Sequence, residues 1–367
     1  MHSNSNYCVI FGPMLVLAFM MISFLPLNVS AIPPDQKVAV LTTWSLPTYS
    51  NGTTDIVSDF AGNLYFTEAG ANKIGRLESV PNTITEWTLP ITNGGQSSGP
   101  TSIAFDPSTG SIFYAVTGAN KIGLLVPATN MITEWTLPTT NGTTPSPTTN
   151  GTTPSPTTNG GQSSGPTSIA FDPTTGSIFY AVTGANKIGL LVPATNTITE
   201  WTLPKKSDSN GFKDIVFDGV ESIYFVGNNG NTIGKLGTSD NMFVEWSLPD
   251  KTANVTSLAF LFDGGVYFSE AGANKIGRLY SDTNTFTEWT LPTTNGGQSS
   301  GPTSIASDPS TGSIYFSKPD ANKIGRLVPP INAITEWILD NKPLAITSTP
   351  GGSIYFIDEL GRIGRMG

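Results

Sequence analysis

The sequence predicts an all-β chain folded as a seven-bladed β-propeller of four-stranded antiparallel blades. Two recurrences and the arrangement of the chain ends predict it. An Ile-Gly pair returns at Ile74, Ile122, Ile188, Ile233, Ile276, Ile324 and Ile363. A Trp returns at Trp44, Trp87, Trp135, Trp201, Trp246, Trp289 and Trp337, at spacings of 43, 48, 66, 45, 43 and 48 residues. That period, filled by four short β-rich runs bounded by Gly, Asn, Asp or Pro, is the signature of a propeller blade. One full unit, from Asp55 to Pro90, carries DIVSDF, GNLYFTE, NKIGRL and ITEWTLP in turn. The chain opens on an isolated Trp strand, Val40 to Pro47, and ends on three strands with no Trp strand after them. The N-terminal strand is therefore expected to complete the last blade and close the ring, which leaves no open sheet edge at the junction.

Residues 1–31 precede the repeats and contain no Lys, Arg, Asp or Glu. Val9 to Leu27 is an apolar run, followed by the small residues Val29-Ser30-Ala31. This reads as a signal peptide cleaved after Ala31, or as an N-terminal membrane anchor, because the run is just long enough to span a bilayer. Either reading places the propeller, residues 38–367, outside the cytoplasm, secreted or at the cell surface. Asn51, Asn141, Asn150 and Asn254 stand in acceptor sequons that an exporting cell could glycosylate.

Within a unit, strand alternation puts Thr85, Trp87 and Leu89 on one side and Ile84, Glu86 and Thr88 on the other. Trp87 and Leu89 are expected in the wedge between neighbouring sheets. Gly75 and its equivalents mark a tight packing point or a bulge. Asn72, Asn120, Asn186, Asn274 and Asn322 are expected in turns, and the lysines that follow them are expected to be solvated. The 66-residue Trp spacing exceeds 48 by 18, which is two copies of TNGTTPSPT, Thr140–Thr148 and Thr149–Thr157. Residues 139–160 therefore read as a Thr/Pro/Asn/Gly-rich loop between blades that cannot form a core. The blades on either side, Thr92 to Pro138 and Thr158 to Pro204, differ only at Ser108/Thr174 and Met131/Thr197.

Composition closes several routes to function. The formal charge is −9, with charged residues at 12% of the chain, so no nucleic-acid partner is expected. The single Cys8 excludes a disulfide framework within the chain and a thiolate metal cluster. The single His2 leaves the propeller without an imidazole for a general base, a triad or a zinc site.

The run GNLYFTEAGANKIGRL…TITEWTLP, repeated around the ring, resembles the virginiamycin B lyase (streptogramin lyase) family over about Val38 to Gly367. The resemblance implies a seven-bladed propeller that opens a cyclic depsipeptide antibiotic by elimination at its ester. It also implies a magnesium ion on carboxylates and a catalytic histidine at the mouth of the central channel. The family's metal-ligating glutamate, after the second strand, is matched by Glu68 and Glu270. The other blades carry Val116, Val182, Gly227, Lys318 and Asp358 there. The catalytic histidine's place holds Thr54 and Thr256, and the second metal-binding glutamate's place holds Gly52 and Asn254. Elimination needs a base for the proton α to the carbonyl and an electrophile for the developing enolate. Thr is no such base at neutral pH, and one carboxylate holds magnesium weakly.

Two readings of the candidate metal residues stay open. Glu68 and Asp358, in adjacent blades, share a cation at one mouth, with Glu270 farther round the ring. Otherwise Glu68 and Asp358 are solvated turn residues. The chain is accordingly expected to be a non-catalytic, monomeric binding or scaffold protein without cofactor, presenting one face to a protein, glycan or small ligand. The alternative is a metal-assisted carbon–oxygen lyase with a rearranged site.

Overall fold

A computed structural model describes residues 37–38, 41–48, 52, 54–91, 99–138, 148–149, 165–203, 212–227, 230–293 and 301–366. Residues 1–31 with His2 and Cys8, read as a signal peptide or membrane anchor, the sequons at Asn51, Asn141 and Asn150, and most of residues 139–160 lie outside them. Seven antiparallel sheets form seven blades. Blade 1 runs Ile56–Ser58, Leu64–Glu68, Lys73–Leu77 and Ile84–Thr88 from the axis outward. Blades 2 to 6 follow at 102–136, 166–202, 215–247, 255–290 and 304–338. Blade 7 takes Pro343–Ser348, Ile354–Asp358 and Arg362–Met366 from the C-terminal end and Leu41–Ser45 from the start of the chain. Trp44 stands opposite Ile363 in that last pairing, so the ring closes as the sequence predicts. Among the described residues no helix is long and apolar enough to cross a membrane.

The core is not one body but seven clusters, each shared by two neighbouring blades. Tyr65, Ile74 and Trp87 of blade 1 pack with Ile103, Ile112 and Tyr114 of blade 2. At the closing junction Ile56, Leu64 and Phe66 of blade 1 meet Ala345, Tyr355 and Ile363 of blade 7, with Trp44 and Leu46 against them. Every second strand is therefore buried on both faces, which is why SIFYAV at Ser111–Val116 is buried at all its positions. The third strand passes so close to an aromatic ring that only glycine fits. A Cβ at Gly325 would lie 2.0 Å from Phe316 Cζ, and the same holds at Gly75 against Phe66.

The Trp residues occupy the expected wedge and also bond across it. Trp87 Nε1 donates to Asn130 Oδ1 of blade 2 at 2.7 Å, and Trp289 Nε1 to Asn332 Oδ1 of blade 6 at 2.7 Å. Asn72 and its equivalents adopt the left-handed φ expected of turn asparagines. Their side chains reach farther than the turn, since Asn72 Nδ2 donates to Leu89 O at 2.9 Å. The lysines differ from expectation. Lys73 Nζ bonds Glu86 Oε2 at 2.6 Å, and Lys121, Lys187, Lys275 and Lys323 pair the same way with the outer-strand glutamates of their own blades. The cause is register: Lys73 lies opposite Thr88, which sets Glu86 one diagonal step away on the same face.

Two outer edges carry a further short strand. Lys37–Val38 pairs parallel to Ala333–Ile338, and Thr148–Thr149 pairs antiparallel to Met131–Thr136. The region read as loop thus contributes two residues to an edge whose backbone groups are otherwise free to bond. Deleting residues 140–157 removes this pair and restores the 48-residue Trp spacing. Loop length weighs little on stability, so the melting temperature is expected to stay within about 2 °C of the parent, read by calorimetry.

Candidate functional site

The same two positions of every inner strand line a cavity of about 240 Å³ on the propeller axis. The layer at the strand starts holds Thr54, Thr101, Thr167, Lys213, Thr256, Thr303 and Leu344. The next layer holds Asp55, Ser102, Ser168, Asp214, Ser257, Ser304 and Ala345. Thr54 and Thr256, the places of the expected catalytic histidine, are thus on the cavity wall. Their hydroxyls are turned sideways: Thr54 Oγ1 donates to Thr101 O at 3.1 Å and Thr256 Oγ1 to Thr303 O at 2.7 Å.

The second layer ties each blade to the next. Asp55 Oδ2 accepts from Ile103 N at 3.0 Å, Ser102 Oγ from Ile169 N at 3.3 Å, and Ser168 Oγ from Ile215 N at 3.2 Å. Asp214 Oδ2 accepts from Leu258 N at 2.8 Å, Ser257 Oγ from Ile305 N at 3.4 Å, and Ser304 Oγ from Ile346 N at 3.3 Å. Ala345 has no acceptor for Ile56 N, and Asp55 Oδ1 takes that proton at 2.9 Å. Burial pushes the Asp55 carboxyl up to about 7, with the charge of Asp214 adding to it and the bonds from Ile103, Ile56 and Ser102 opposing it. Burial raises Asp214 as well. Sequence reasoning missed this acidic pair. Its signal was one column of the repeat alignment, where Ser recurs four times and Asp twice before Ile or Leu.

The three residues singled out from the sequence lie apart in role. Glu68 and Glu270 end their second strands and are fully buried, not solvated turn residues. Neither carboxylate has a hydrogen-bond partner on either oxygen. Each is pushed up to about 7, first by burial and then by the outer-strand carboxylate, Glu86 or Glu288, against the pull of Lys73 or Lys275. Asp358 is also buried, and its oxygens are committed within its own hairpin. Leu360 N and Arg362 N donate to Oδ1 at 3.0 and 2.9 Å, and Arg362 Nε donates to Oδ2 at 2.8 Å.

The other blades show what the Glu68 position faces. In blades 2 and 3 the outer-strand glutamate receives a proton from within, from Tyr114 Oη to Glu134 Oε1 at 3.3 Å and from Tyr180 Oη to Glu200 Oε1 at 3.2 Å. In blade 6 Lys318 Nζ reaches Glu336 Oε1 at 3.0 Å and Pro292 O at 2.9 Å. Blades 1 and 5 have Phe66 and Phe268 in place of the tyrosines. There the second-strand end carries a carboxyl, Glu68 or Glu270, without a hydrogen-bond partner; Glu86 Oε1 accepts from Thr48 N at 3.2 Å instead, and Glu288 Oε1 is a buried acceptor without a partner. Magnesium does not fit this donor set. It demands several oxygen ligands, with water among them, whereas Glu270 is sealed from solvent and shares its surroundings with the Lys275 ammonium. Among the described residues no three His, Cys, Asp or Glu side chains are grouped to hold a metal ion.

The virginiamycin B lyase family profile matches residues 147–366. No curated protein matches the sequence. The structure is similar to virginiamycin B lyase from Staphylococcus aureus, with 25% identity over 89% of this chain and 98% of that one and a TM-score of 0.72. It is similar to a streptogramin B lyase at 28% identity, over 89% of this chain and 97% of that one, with a TM-score of 0.74. A catalytically inactive variant of the Staphylococcus aureus enzyme with Quinupristin matches at 25% identity, over 89% and 98% of the two chains, with a TM-score of 0.72.

Proposed function

This chain belongs to the virginiamycin B lyase family, and from that premise we propose that it is a non-catalytic member, exported or displayed at the cell surface, that binds a ligand at its axial cavity. One observation carries the proposal. At the two places where the family resemblance calls for a general base stand Thr54 and Thr256, and each hydroxyl proton goes to the carbonyl of the next blade. The partner places hold Gly52 and Asn254, and the Asn254 amide oxygen accepts from Lys213 Nζ at 2.5 Å. A hydroxyl without a base beside it does not remove a proton α to a carbonyl. Export is supported by the uncharged apolar segment ending in Val29-Ser30-Ala31.

A second reading is favoured by Glu270. A buried carboxyl with both oxygens free and a pKa of about 7 has the proton affinity of a general base. It supports a carbon–oxygen lyase with a rearranged site. Incubating the purified protein with a streptogramin B depsipeptide, with and without magnesium, separates the two by product mass. No linearised product is expected. Linear product at an enzyme-like rate, lost in Glu68→Gln or Glu270→Gln, would establish the second reading.

A further inference from the structure

Blades 2 and 3 present the same outer edge, and only one of the two is covered. Ile132-Thr133-Glu134-Trp135-Thr136 and Ile198-Thr199-Glu200-Trp201-Thr202 are identical and occupy equivalent strands. On blade 2, Thr149 lies opposite Thr133 and Thr148 opposite Glu134. Thr133, Glu134 and Trp135 are buried there, at 9%, 5% and 4% exposure. On blade 3, among the described residues, no further strand adds to the edge. Thr199 and Thr202 are exposed, and Glu200 and Trp201 are half-buried.

The bare edge has the backbone groups to take a strand. Leu203 N donates inward to Asn186 O at 3.1 Å, so strand alternation turns the N–H and C=O of Ile198, Glu200 and Thr202 outward. Leu137 N donates to Asn120 O in the same way at 2.9 Å, which makes Glu134 the outward-facing residue that meets Thr148. Glu200 is its equivalent. The chain extends an outer edge a second time at blade 6, with Lys37–Val38. Blade 1 repeats the five residues at Ile84–Thr88, but Trp87 is buried there and Thr48 Oγ1 donates to Glu86 Oε2 at 2.8 Å.

The sequence supplies a second copy of the strand that covers blade 2. Pro147-Thr148-Thr149-Asn150-Gly151 returns unchanged as Pro156-Thr157-Thr158-Asn159-Gly160. We propose that Thr157 and Thr158 of one molecule add as a strand to the bare edge of blade 3 of another, with Thr158 opposite Thr199 and Thr157 opposite Glu200. Copies of this chain then associate through the repeat. Chain reach favours a second molecule over the same one. Gly165 is held against blade 2, where a Cβ would lie 1.8 Å from Thr117 O. From an antiparallel Thr158 at that edge, the chain would have to turn back, climb three residues and cross four strand spacings. That is about 21 Å, at about 4.8 Å per spacing and about 3.4 Å per residue. The seven residues to Gly165 span about 24 Å at full extension, and the reversal takes up more than the difference. The contact lies on the outer rim, so it is independent of the axial cavity and of turnover.

Cysteine pairing tests this in full chains carrying Cys8→Ser, which removes the only native thiol. One chain carries Thr158→Cys and the other Thr199→Cys. Facing residues of a non-hydrogen-bonded antiparallel pair stand about 4.5 Å apart at Cα, within disulfide range. Under mild oxidation the mixture is expected to give a dimer joined between positions 158 and 199, in roughly tenfold excess over either homodimer by peptide mass. Thr133→Cys in place of Thr199→Cys is expected to give roughly tenfold less, because Thr149 already stands opposite that position. An excess of the peptide TNGTTPSPTTNG, residues 149–160, is expected to suppress the bond, and the same residues in scrambled order to leave it. No excess over the homodimers, an equal yield from Thr133→Cys, or a yield that the peptide does not lower overturns the proposal. So does a bond formed mainly within one molecule when Thr158→Cys and Thr199→Cys are combined, since the segment would then serve its own edge.

Discussion

Removing residues 38–47 is expected to abolish cooperative unfolding and to drive the protein into aggregates. The deletion takes away Leu41–Ser45, the outer strand of blade 7, and exposes the unpaired edge of Arg362–Met366. It also strips Trp44 and Leu46 from the cluster joining blade 7 to blade 1, and Leu41 from the cluster joining blade 6 to blade 7. Full burial of such an apolar side chain contributes about 1.5–3 kcal/mol. These three are half-buried, so their loss together removes a sizeable share of the stability of an ordinary domain, about 5–15 kcal/mol. The ring makes the loss worse, because the closing junction is the one held by strands from both ends of the chain. Size-exclusion chromatography with light scattering, followed by denaturant unfolding, checks this. A monomeric truncated protein with an unchanged midpoint would show that closure does not depend on this strand.

Raising the pH from about 4.5 to 8 is expected to weaken the fold through Glu68 and Glu270. Both have a folded-state value of about 7 against 4.5 for the free side chain. Between those values the native state binds more protons than the unfolded chain, so stability falls as pH rises. The contribution is fully present below about 4.5 and is lost as the pH passes through about 7. At 1.36 kcal/mol per pH unit, each carboxyl accounts for about 3 kcal/mol. Asp55, also pushed up to about 7, acts with the same sign. Replacing both glutamates by Gln keeps the size of the side chain and removes the ionisable group. The double variant is expected to match the parent near pH 4.5 and to exceed it by about 3 kcal/mol or more at pH 8. Urea unfolding at several pH values measures the difference. A parent no less stable at pH 8 than its double variant would place ionised, well-solvated carboxylates at both positions and defeat the account.

Local chemistry and repetition made the architecture legible. The seven-fold return of Trp and Ile-Gly gave the blade count, and the orphan strand at Trp44 gave the closure. Short-range causes also sufficed for Asn72, whose amide tolerates the left-handed turn, and for Gly75, which any side chain would force into the Phe66 ring. The absence of an imidazole beyond His2 was likewise a property of the sequence alone. The fates of the charged residues were not. Lys73 meets Glu86 and Lys318 meets Glu336 only because strand register sets them on one face, thirteen and eighteen residues apart in the chain. Glu68 looked like a residue after a strand, and it is buried because a second-strand end lies between two neighbouring blades. Asp55 and Asp214 are 159 positions apart in the sequence, and ring closure alone brings blades 1 and 4 to a common cavity. The repeat pattern determined which blades exist. Which charges they place against one another was decided by the closed ring, because burial and charge proximity depend on contacts between blades that no single repeat contains.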